Sequence, residues 1–273
     1  MKKMLCNVKT MVLGMVAVVL LGGCASGPDL RVGIAPSYPP LAFMQNGKLA
    51  GVEPELAARL GKQLNRGIRF EIMPFDRLIP GLQADRIDLI MAGMSVTPER
   101  QALVSFTEPY MKIGQMLLIR EKDVTRFPRE LHEKQSGVRI GVERGTTGEQ
   151  YALNSFTWSS LTHFDTTEAG VRALEQGSID CFVHDAPTVW RFSADPATLR
   201  PGLLGLFEPL TDEPLAWAVR KNDTALLAQL NTELAQMRQS GYLQDLLAKW
   251  MRTRVRVGLP GNLEAKHLKT VEQ

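Results

Sequence analysis

The chain has 273 residues, of which 44% are hydrophobic and 22% are charged. This composition is typical of globular proteins and excludes collagen-like, disordered and polytopic membrane proteins. The length predicts one or two domains of roughly 100–200 residues each. The 32 basic residues exceed the 29 acidic residues by three, and the N-terminal segment accounts for this excess.

That segment has the pattern of an export signal. Three lysines precede an apolar run over residues 11–21, which is too short to cross roughly 30 Å of bilayer core as a helix. The run ends in Leu21-Gly22-Gly23-Cys24, which resembles the lipobox of bacterial lipoproteins. We therefore expect removal of residues 1–23, lipidation of Cys24 and a short tether over residues 24–29. A plain secretory signal with a chance cysteine is the alternative.

Loss of the signal changes the charge balance. The three lysines leave with it and no acidic residue does, so 29 basic and 29 acidic residues remain. A nucleic-acid partner is therefore not expected, because no basic surplus is left to neutralise phosphates.

Cys181 is the cysteine that would stay in the fold, since Cys6 leaves with the signal and Cys24 carries lipid. It lies in the apolar run over residues 179–183. This position predicts a buried structural thiol rather than a nucleophile.

Strand and helix patterns alternate along the first part of the chain. Strands are predicted over residues 30–34, 68–72 and 87–91, helices over residues 53–64 and 75–82, and a tight turn at Asn46-Gly47. The alternation with short links predicts a mostly parallel sheet covered by helices.

A second alternating series follows. Strands are predicted over residues 138–142, 161–164 and 179–183, and helices near Tyr151 and over residues 167–176. Two further helices, separated at Gly241, are predicted within residues 225–251. The sequence thus predicts two similar α/β units followed by two helices.

Residues at the ends of the predicted strands carry the functional signal, because ligands of open α/β sheets bind beyond the carboxyl ends of the strands. Arg100 follows one strand, and Asp185 follows another. Between them, residues 145–149 form a small-residue turn at a helix start, which suits an anion. A zwitterion with a carboxylate and an ammonium group would match this set.

Several motifs together carry a family resemblance: Tyr38-Pro39-Pro40, Gly51 with Glu55, the run over residues 88–94, Thr97-Pro98-Glu99-Arg100, Phe106 with Pro109-Tyr110, Gly145-Thr146-Thr147, and Gly241 followed by Trp250. The chain resembles the extracytoplasmic solute-binding proteins of polar amino-acid importers (bacterial solute-binding protein family 3). The resemblance covers nearly all of the chain after the tether.

The resemblance implies an α/β fold of the type II periplasmic-binding-protein kind. Each of two lobes would be a mixed, mostly parallel sheet flanked by helices, and two hinge strands would join them. The expected limits are lobe 1 over residues 30–115 and 215–251, the hinge and inserted lobe 2 over residues 116–214, crossing strands over residues 115–120 and 215–219, and a flexible tail over residues 252–273.

The resemblance also implies how the ligand carboxylate is bound. Arg100 would clamp it, because a planar guanidinium can bond both oxygens at once. The Ser95 hydroxyl and the Thr147 backbone N–H would complete this site. On position alone, Arg100 could instead be a solvated helix residue.

For the α-amino group, the resemblance implies the Asp185 carboxylate, the Gly93 carbonyl and the Ser95 oxygen. Asp185 could instead only cap the helix that follows it. Tyr38 and Phe75 would sandwich the ligand side chain, with loop packing and core packing as their respective alternatives. His184 is expected at the pocket rim or in the core, and no metal or cofactor is expected.

Two departures from the family pattern bear on the ligand. Several relatives with cationic ligands carry an acid where this chain has Ala35, which argues against lysine or arginine. Glu53-Pro54-Glu55 stands where the family usually shows Asp-hydrophobic-Asp, and the role of Glu53 stays open.

These features predict an exported, lipid-anchored, monomeric receptor that closes on an amino acid and docks on an ABC permease. One alternative is an enzyme like the cyclohexadienyl dehydratases, which act on prephenate or arogenate. Residues 186–189 lack the glutamate that such members carry shortly after the aspartate. A second alternative is a sensory accessory lipoprotein. The bound amino acid and the membrane leaflet stay open.

Overall fold

The computed structural model describes residues 27–127, 137–157 and 159–251. The expected signal over residues 1–23, Cys24 and the tail over residues 252–273 lie outside these residues. In chain order the strands are β1 (Gly27–Ile34), β2 (Ser37–Tyr38), β3 (Ala42–Gln45), β4 (Lys48–Ala50), β5 (Arg66–Ile72), β6 (Leu89–Ile90), β7 (Val104–Phe106), β8 (Met111–Ile113), β9 (Gln115–Arg120), β10 (Arg139–Glu143), β11 (Ser160–Phe164), β12 (Cys181–Asp185), β13 (Leu203–Leu206), β14 (Glu213–Leu215) and β15 (Ala218–Arg220).

The helices follow the predicted order. They are α1 (Val52–Gln63), α2 (Leu78–Gln83), α3 (Pro98–Leu103), α4 (Thr147–Ser155), α5 (Thr167–Glu175), α6 (Ala186–Ser193), α7 (Thr224–Gln239) and α8 (Tyr242–Trp250), with 3-10 helices at Phe75–Arg77 and Glu121–Arg126. No helix among the described residues has the length and apolar character needed to cross a bilayer.

Each lobe contains a five-stranded sheet. The strand order is β5-β1-β6-β15-β7 in the first and β11-β10-β12-β9-β13 in the second. In both sheets the first three strands run parallel, and the fourth returns antiparallel to the third. The predicted two-lobed α/β architecture with mixed, mostly parallel sheets is therefore confirmed.

Helices cover both faces of each sheet, so neighbouring strand residues enter different cores. In the first lobe, Leu89 packs with residues of α1, α7 and α8, whereas Ile90 packs with residues of α2. In the second, Cys181 lies on the α4 side and Phe182 on the α5 and α6 side. Cys181 is fully buried, as predicted.

The same ion pair joins the second strand of each sheet to the residue that precedes the third strand. The Arg31 backbone N–H donates to Asp88 Oδ2 at 3.0 Å, and its guanidinium donates to both carboxylate oxygens at 3.0 and 2.6 Å. Arg139 repeats this on Asp180, with a backbone bond of 3.0 Å and guanidinium bonds of 3.1 and 2.8 Å. The two lobes thus share an internal correspondence in which Arg31 matches Arg139.

A further arginine reaches each aspartate from the returning strand. Arg220 donates to Asp88 Oδ1 and Arg120 donates to Asp180 Oδ1, both at 3.1 Å. Burial alone would raise the pKa of each aspartate, but the arginine hydrogen bonds outweigh it and hold both pKa values below their usual range. Each carboxylate therefore stabilises its sheet as an anion.

The connection between the lobes differs from the prediction. Strands β8 and β14 pair antiparallel, from Met111 with Leu215 to Ile113 with Glu213, and form a separate two-stranded sheet. The segment predicted to cross, residues 115–120, is instead β9, a wholly buried interior strand of the second sheet. Of residues 215–219, only the first belongs to β14, and the last two belong to β15.

The start of the first strand also differs from the prediction. Strand β1 begins at Gly27, three residues before the predicted strand, so part of the expected tether lies in the sheet. The Arg66 side chain explains this extension, because it donates to the carbonyl oxygens of Pro28 at 2.7 Å and Asp29 at 3.4 Å.

Candidate functional site

A cleft between the two lobes brings together all seven residues predicted to bind ligand. Its free space is about 390 Å³, including the part open to solvent. Tyr38, Phe75, Gly93, Ser95 and Arg100 line it from the first lobe, and Thr147 and Asp185 from the second.

Arg100 is positioned by the start of α3. The Thr97 hydroxyl caps this helix by accepting the Arg100 backbone N–H at 3.2 Å. The guanidinium donates to the Ser95 carbonyl at 2.8 Å and, across the cleft, to the Gly145 carbonyl at 3.0 Å. It also lies over the Phe75 ring, 5.4 Å from the centroid. These contacts within the described residues use two of its five N–H donors, which leaves donors for a carboxylate.

Asp185 ends β12 as a buried carboxylate that forms no salt bridge among the described residues. The Gln115 amide donates to it, and burial is the main cause that raises its pKa. The Tyr38 hydroxyl is buried and interacts with the Asp185 carboxylate. A ligand ammonium group would supply the missing positive charge.

The capping alternative for Asp185 does not hold. Asp185 occupies the N-cap position of α6, but its side chain makes no capping hydrogen bond. Its own backbone N–H is bound by His184 Nδ1 at 2.8 Å. The carboxylate is therefore not engaged at the helix start.

Thr147 lies at the start of α4, where backbone N–H groups lack intrahelical partners. The preceding Gly145 has a φ of 76°, a left-handed conformation that glycine adopts readily. Thr146 caps the helix by accepting the Glu149 N–H at 3.2 Å. The Gly145 N–H donates to Glu149 Oε2 at 2.6 Å and the Thr146 N–H to the Glu143 carbonyl at 3.4 Å, so the N–H groups from Thr147 onward are those left for an anion.

Glu53 lies beneath the cleft and fixes Gly93. It is fully buried and accepts hydrogen bonds from the Gly93 N–H at 2.8 Å, the Tyr110 hydroxyl at 2.7 Å and Trp217 Nε1 at 3.0 Å. A side chain at position 93 would collide with the Tyr38 ring, since an added Cβ would lie 2.6 Å from it. Glu53 is thus a support for the cleft floor rather than part of its lining.

Burial raises the pKa of Glu53 to about 7, although its three hydrogen bonds oppose the shift. The folded protein then holds a proton that the unfolded chain, with a pKa near 4.5, releases. We therefore expect the free energy of unfolding to fall as the pH rises from 4.5 to about 7. At about 1.4 kcal/mol per pKa unit, Glu53 contributes roughly 3 kcal/mol to this fall.

Urea unfolding of the wild type and Glu53→Gln across this pH range measures the contribution. The difference between their free energies of unfolding should change with pH, because only the wild type titrates at this position. Two parallel curves would contradict the raised pKa.

Glu143 and Ser37 line the cleft and were not singled out from the sequence. Strand β10 extends one residue beyond its predicted end and so includes Glu143. Glu143 Oε2 accepts from the Thr167 hydroxyl at 2.6 Å and contacts His184 Nε2 at 3.1 Å, while Oε1 accepts from Ser37 of the other lobe at 3.3 Å. An acid at the carboxyl end of an apolar strand was the signal that could have found it.

His184, which was expected at the pocket rim or in the core, is buried and lines the cleft. Burial opposes its charged form, but the hydrogen bond to Glu143 and the charge of Asp185 outweigh burial and raise its pKa. The described residues contain no group of three or more acidic, histidine or cysteine side chains suited to a metal ion.

Residues 30–253 match the model of the bacterial extracellular solute-binding proteins, family 3. The chain is 30% identical over 248 residues to ABC transporter arginine-binding protein 1 of Escherichia coli (strain K12), which covers 89% of this chain and 98% of that protein.

Solved structures of amino-acid-binding proteins are also similar to this chain. A binding component of an ABC transporter from Wolinella succinogenes DSM 1740, complexed with lysine, matches with a TM-score of 0.76 and 30% identity over 83% of this chain and 97% of its own. An ancestral amino acid-binding protein, a precursor of cyclohexadienyl dehydratase, matches with a TM-score of 0.74 and 31% identity over 81% of this chain and 94% of its own.

Proposed function

Since the chain belongs to the bacterial extracellular solute-binding proteins of family 3, we propose that it is an exported, monomeric receptor that binds an amino acid between its lobes and delivers it to an ABC permease. The observation that carries this proposal is that Arg100 and Asp185 line the same cleft. An α-amino acid presents a carboxylate and an ammonium group on one carbon, and these two side chains complement both charges.

The seven predicted residues take the roles that follow from this pairing. Arg100, Ser95 and the Thr147 N–H bind the carboxylate, and Asp185 with the Gly93 carbonyl binds the ammonium group. Tyr38 and Phe75 enclose the ligand side chain. Support for Phe75 comes from its position opposite Arg100 at the cleft.

Closure of the lobes couples binding to delivery. Arg100 and Asp185 come from different lobes, so a bound amino acid satisfies both only when the lobes are together. Contacts across the cleft, from Arg100 to Gly145 and from Ser37 to Glu143, belong to this closed arrangement. The paired strands β8 and β14 form the hinge, and the permease would recognise the closed form.

A thermal-shift screen of the purified protein tests this function. The ligands are the twenty amino acids, common polyamines, small dicarboxylates and prephenate. A ligand at about a hundred times its dissociation constant stabilises the folded state by about 2.7 kcal/mol. A shift with one or a few amino acids is expected, whereas folded, unliganded protein that responds to none of them would contradict the proposal.

The same screen addresses the dehydratase alternative. We propose no catalytic step in the cleft, because the residues after Asp185 at the start of α6 are Ala186, Pro187, Thr188 and Val189, which lack an acidic group. A shift with prephenate alone, together with release of carbon dioxide from it, would show that the protein is an enzyme and not a receptor.

We also propose that Cys24 anchors the protein to the membrane through lipid. This rests on the lipobox-like sequence that ends at this residue. Radiolabelled palmitate should enter the wild type and not Cys24→Ser. Equal labelling of both proteins would contradict the anchor and leave the receptor function standing.

A further inference from the structure

In the internal correspondence of the two lobes, Glu143 of the second lobe is the counterpart of Ala35 of the first. Ala35 stands four positions after Arg31, and Glu143 stands four positions after Arg139. Ala35 directly follows β1 and Glu143 ends β10, which are the second strands in the order of their sheets. Both residues are buried and both line the cleft. The acid that is absent from the first lobe at Ala35 is therefore present at the matching position of the second lobe.

One oxygen of Glu143 has capacity for a ligand. Thr167 and His184 hold Oε2 at 2.6 and 3.1 Å, which fixes the orientation of the carboxylate. Within the described residues, Oε1 accepts only the longer bond of 3.3 Å from Ser37. A carboxylate oxygen can accept two hydrogen bonds, so Oε1 can take a further N–H donor from the cleft.

The charges around the cleft favour a cationic ligand. Three carboxylates interact here: Asp185, Glu143 and Glu213, the last through its electrostatic contacts with Asp185 and Arg100. Glu213 is buried, and its Oε2 has no hydrogen-bond partner among the described residues. Arg100 is the one guanidinium or ammonium group among the described residues that line the cleft, so the carboxylates outnumber it. A neutral zwitterion leaves this excess of negative charge unchanged, whereas an amino acid with a cationic side chain reduces it.

We infer that Glu143 selects the ligand by accepting a hydrogen bond from a cationic, N–H-bearing side chain, as arginine and lysine have. This inference rests on the proposed function, since Arg100 and Asp185 must first hold the α-carboxylate and α-ammonium groups. It also reverses the argument that Ala35 disfavours cationic ligands, because the second lobe supplies the acid. Acidic amino acids are repelled by the same carboxylate.

Isothermal titration of the wild type and Glu143→Gln tests the inference. The ligands are L-arginine, L-lysine, neutral L-citrulline, L-glutamine and L-glutamate. We expect arginine or lysine to bind the wild type at least tenfold more tightly than citrulline and glutamine. In Glu143→Gln this ratio should fall to within about threefold, because the amide keeps its contacts with Thr167 and Ser37 but has lost the charge.

The matched control is Asp165→Asn. Asp165 is an exposed acid of the same lobe that pairs with Arg144 at 3.3 Å and does not line the cleft. It should retain the wild-type ratio, which separates a local contact from the overall charge of the lobe.

The outcomes distinguish the inference from the proposed function. Wild-type protein that binds citrulline or glutamine as tightly as both cations would overturn the role of Glu143 without any need for a folded variant. A preference that persists in Glu143→Gln would do the same. In both cases binding of an amino acid would still support the receptor, whereas binding of none would overturn the proposed function itself.

Discussion

Arg100→Ala is expected to weaken amino-acid binding at least a hundredfold while the protein stays folded. Two charge-assisted hydrogen bonds to a carboxylate contribute roughly 1.5–3 kcal/mol each, and about 1.4 kcal/mol corresponds to a factor of ten in affinity. The variant also loses the bond to the Gly145 carbonyl across the cleft, which contributes to closure. The side chain is half-buried at the cleft rather than in a core, so its truncation should have little effect on stability.

Titration calorimetry with the amino acid found in the screen measures the loss, and thermal unfolding checks the fold. Arg77→Ala is the control, because Arg77 is an arginine of the same lobe with 70% of its side chain exposed and a pair with Asp76 at 3.6 Å. Its affinity should match the wild type. Arg100→Lys should be intermediate, since it retains charge but loses the bidentate fork. Native unfolding with unchanged affinity in Arg100→Ala would show that Arg100 does not clamp the carboxylate.

Asp180→Asn is expected to lower the free energy of unfolding by about 3 kcal/mol, because it leaves buried guanidinium charge without its anion. Asp180 is buried and pairs with Arg120 at 3.1 Å and Arg139 at 2.8 Å, and the Arg120 side chain is only 9% exposed. Asparagine has nearly the same shape, so no cavity forms. Asp123 also binds Arg120, at 2.6 Å, and keeps the cost from being larger.

Thermal and urea unfolding test this cost, which corresponds to a fall of about 10 °C in the midpoint for a chain of this size. Asp212→Asn provides the comparison. Its pair with Lys112 is also short, at 3.0 Å, but both side chains are about 70% exposed, and exposed pairs contribute roughly 0–1 kcal/mol. Equal stability of the two variants would mean that burial does not set the strength of the Asp180 cluster.

Local patterns predicted most of the elements because burial on both sheet faces gives short apolar runs that turns and helix caps separate. The Asn46-Gly47 turn shows this, since both residues have positive φ in the hairpin between β3 and β4. Because the strands could be predicted, their ends could be predicted too, and so could the positions of Arg100 and Asp185 just after those ends. Their union in one cleft followed from the rule that ligands bind beyond the strand ends.

The sequence did not show how distant segments pair. Residues 115–120 have the apolar character of either a crossing strand or an interior one, and only their antiparallel partners β12 and β13 decide between them. Glu143 was missed for a related reason. Its burial depends on Thr167, His184 and Ser37, which are remote in the chain and meet it only in the folded protein.

The position of β15 between β6 and β7 has a consequence for the order of folding. It pairs Ala218 with Ile90, 128 residues away, so the first sheet can close only around the entire intervening chain. The second sheet uses one continuous stretch of sequence. When that stretch folds first, the pairing of Ile113 with Glu213 holds its two ends together and replaces a long loop by a short one. Since each doubling of loop length costs about 0.6 kcal/mol of closure entropy, prior folding of the inserted lobe would lower the entropic cost of pairing β15 with β6.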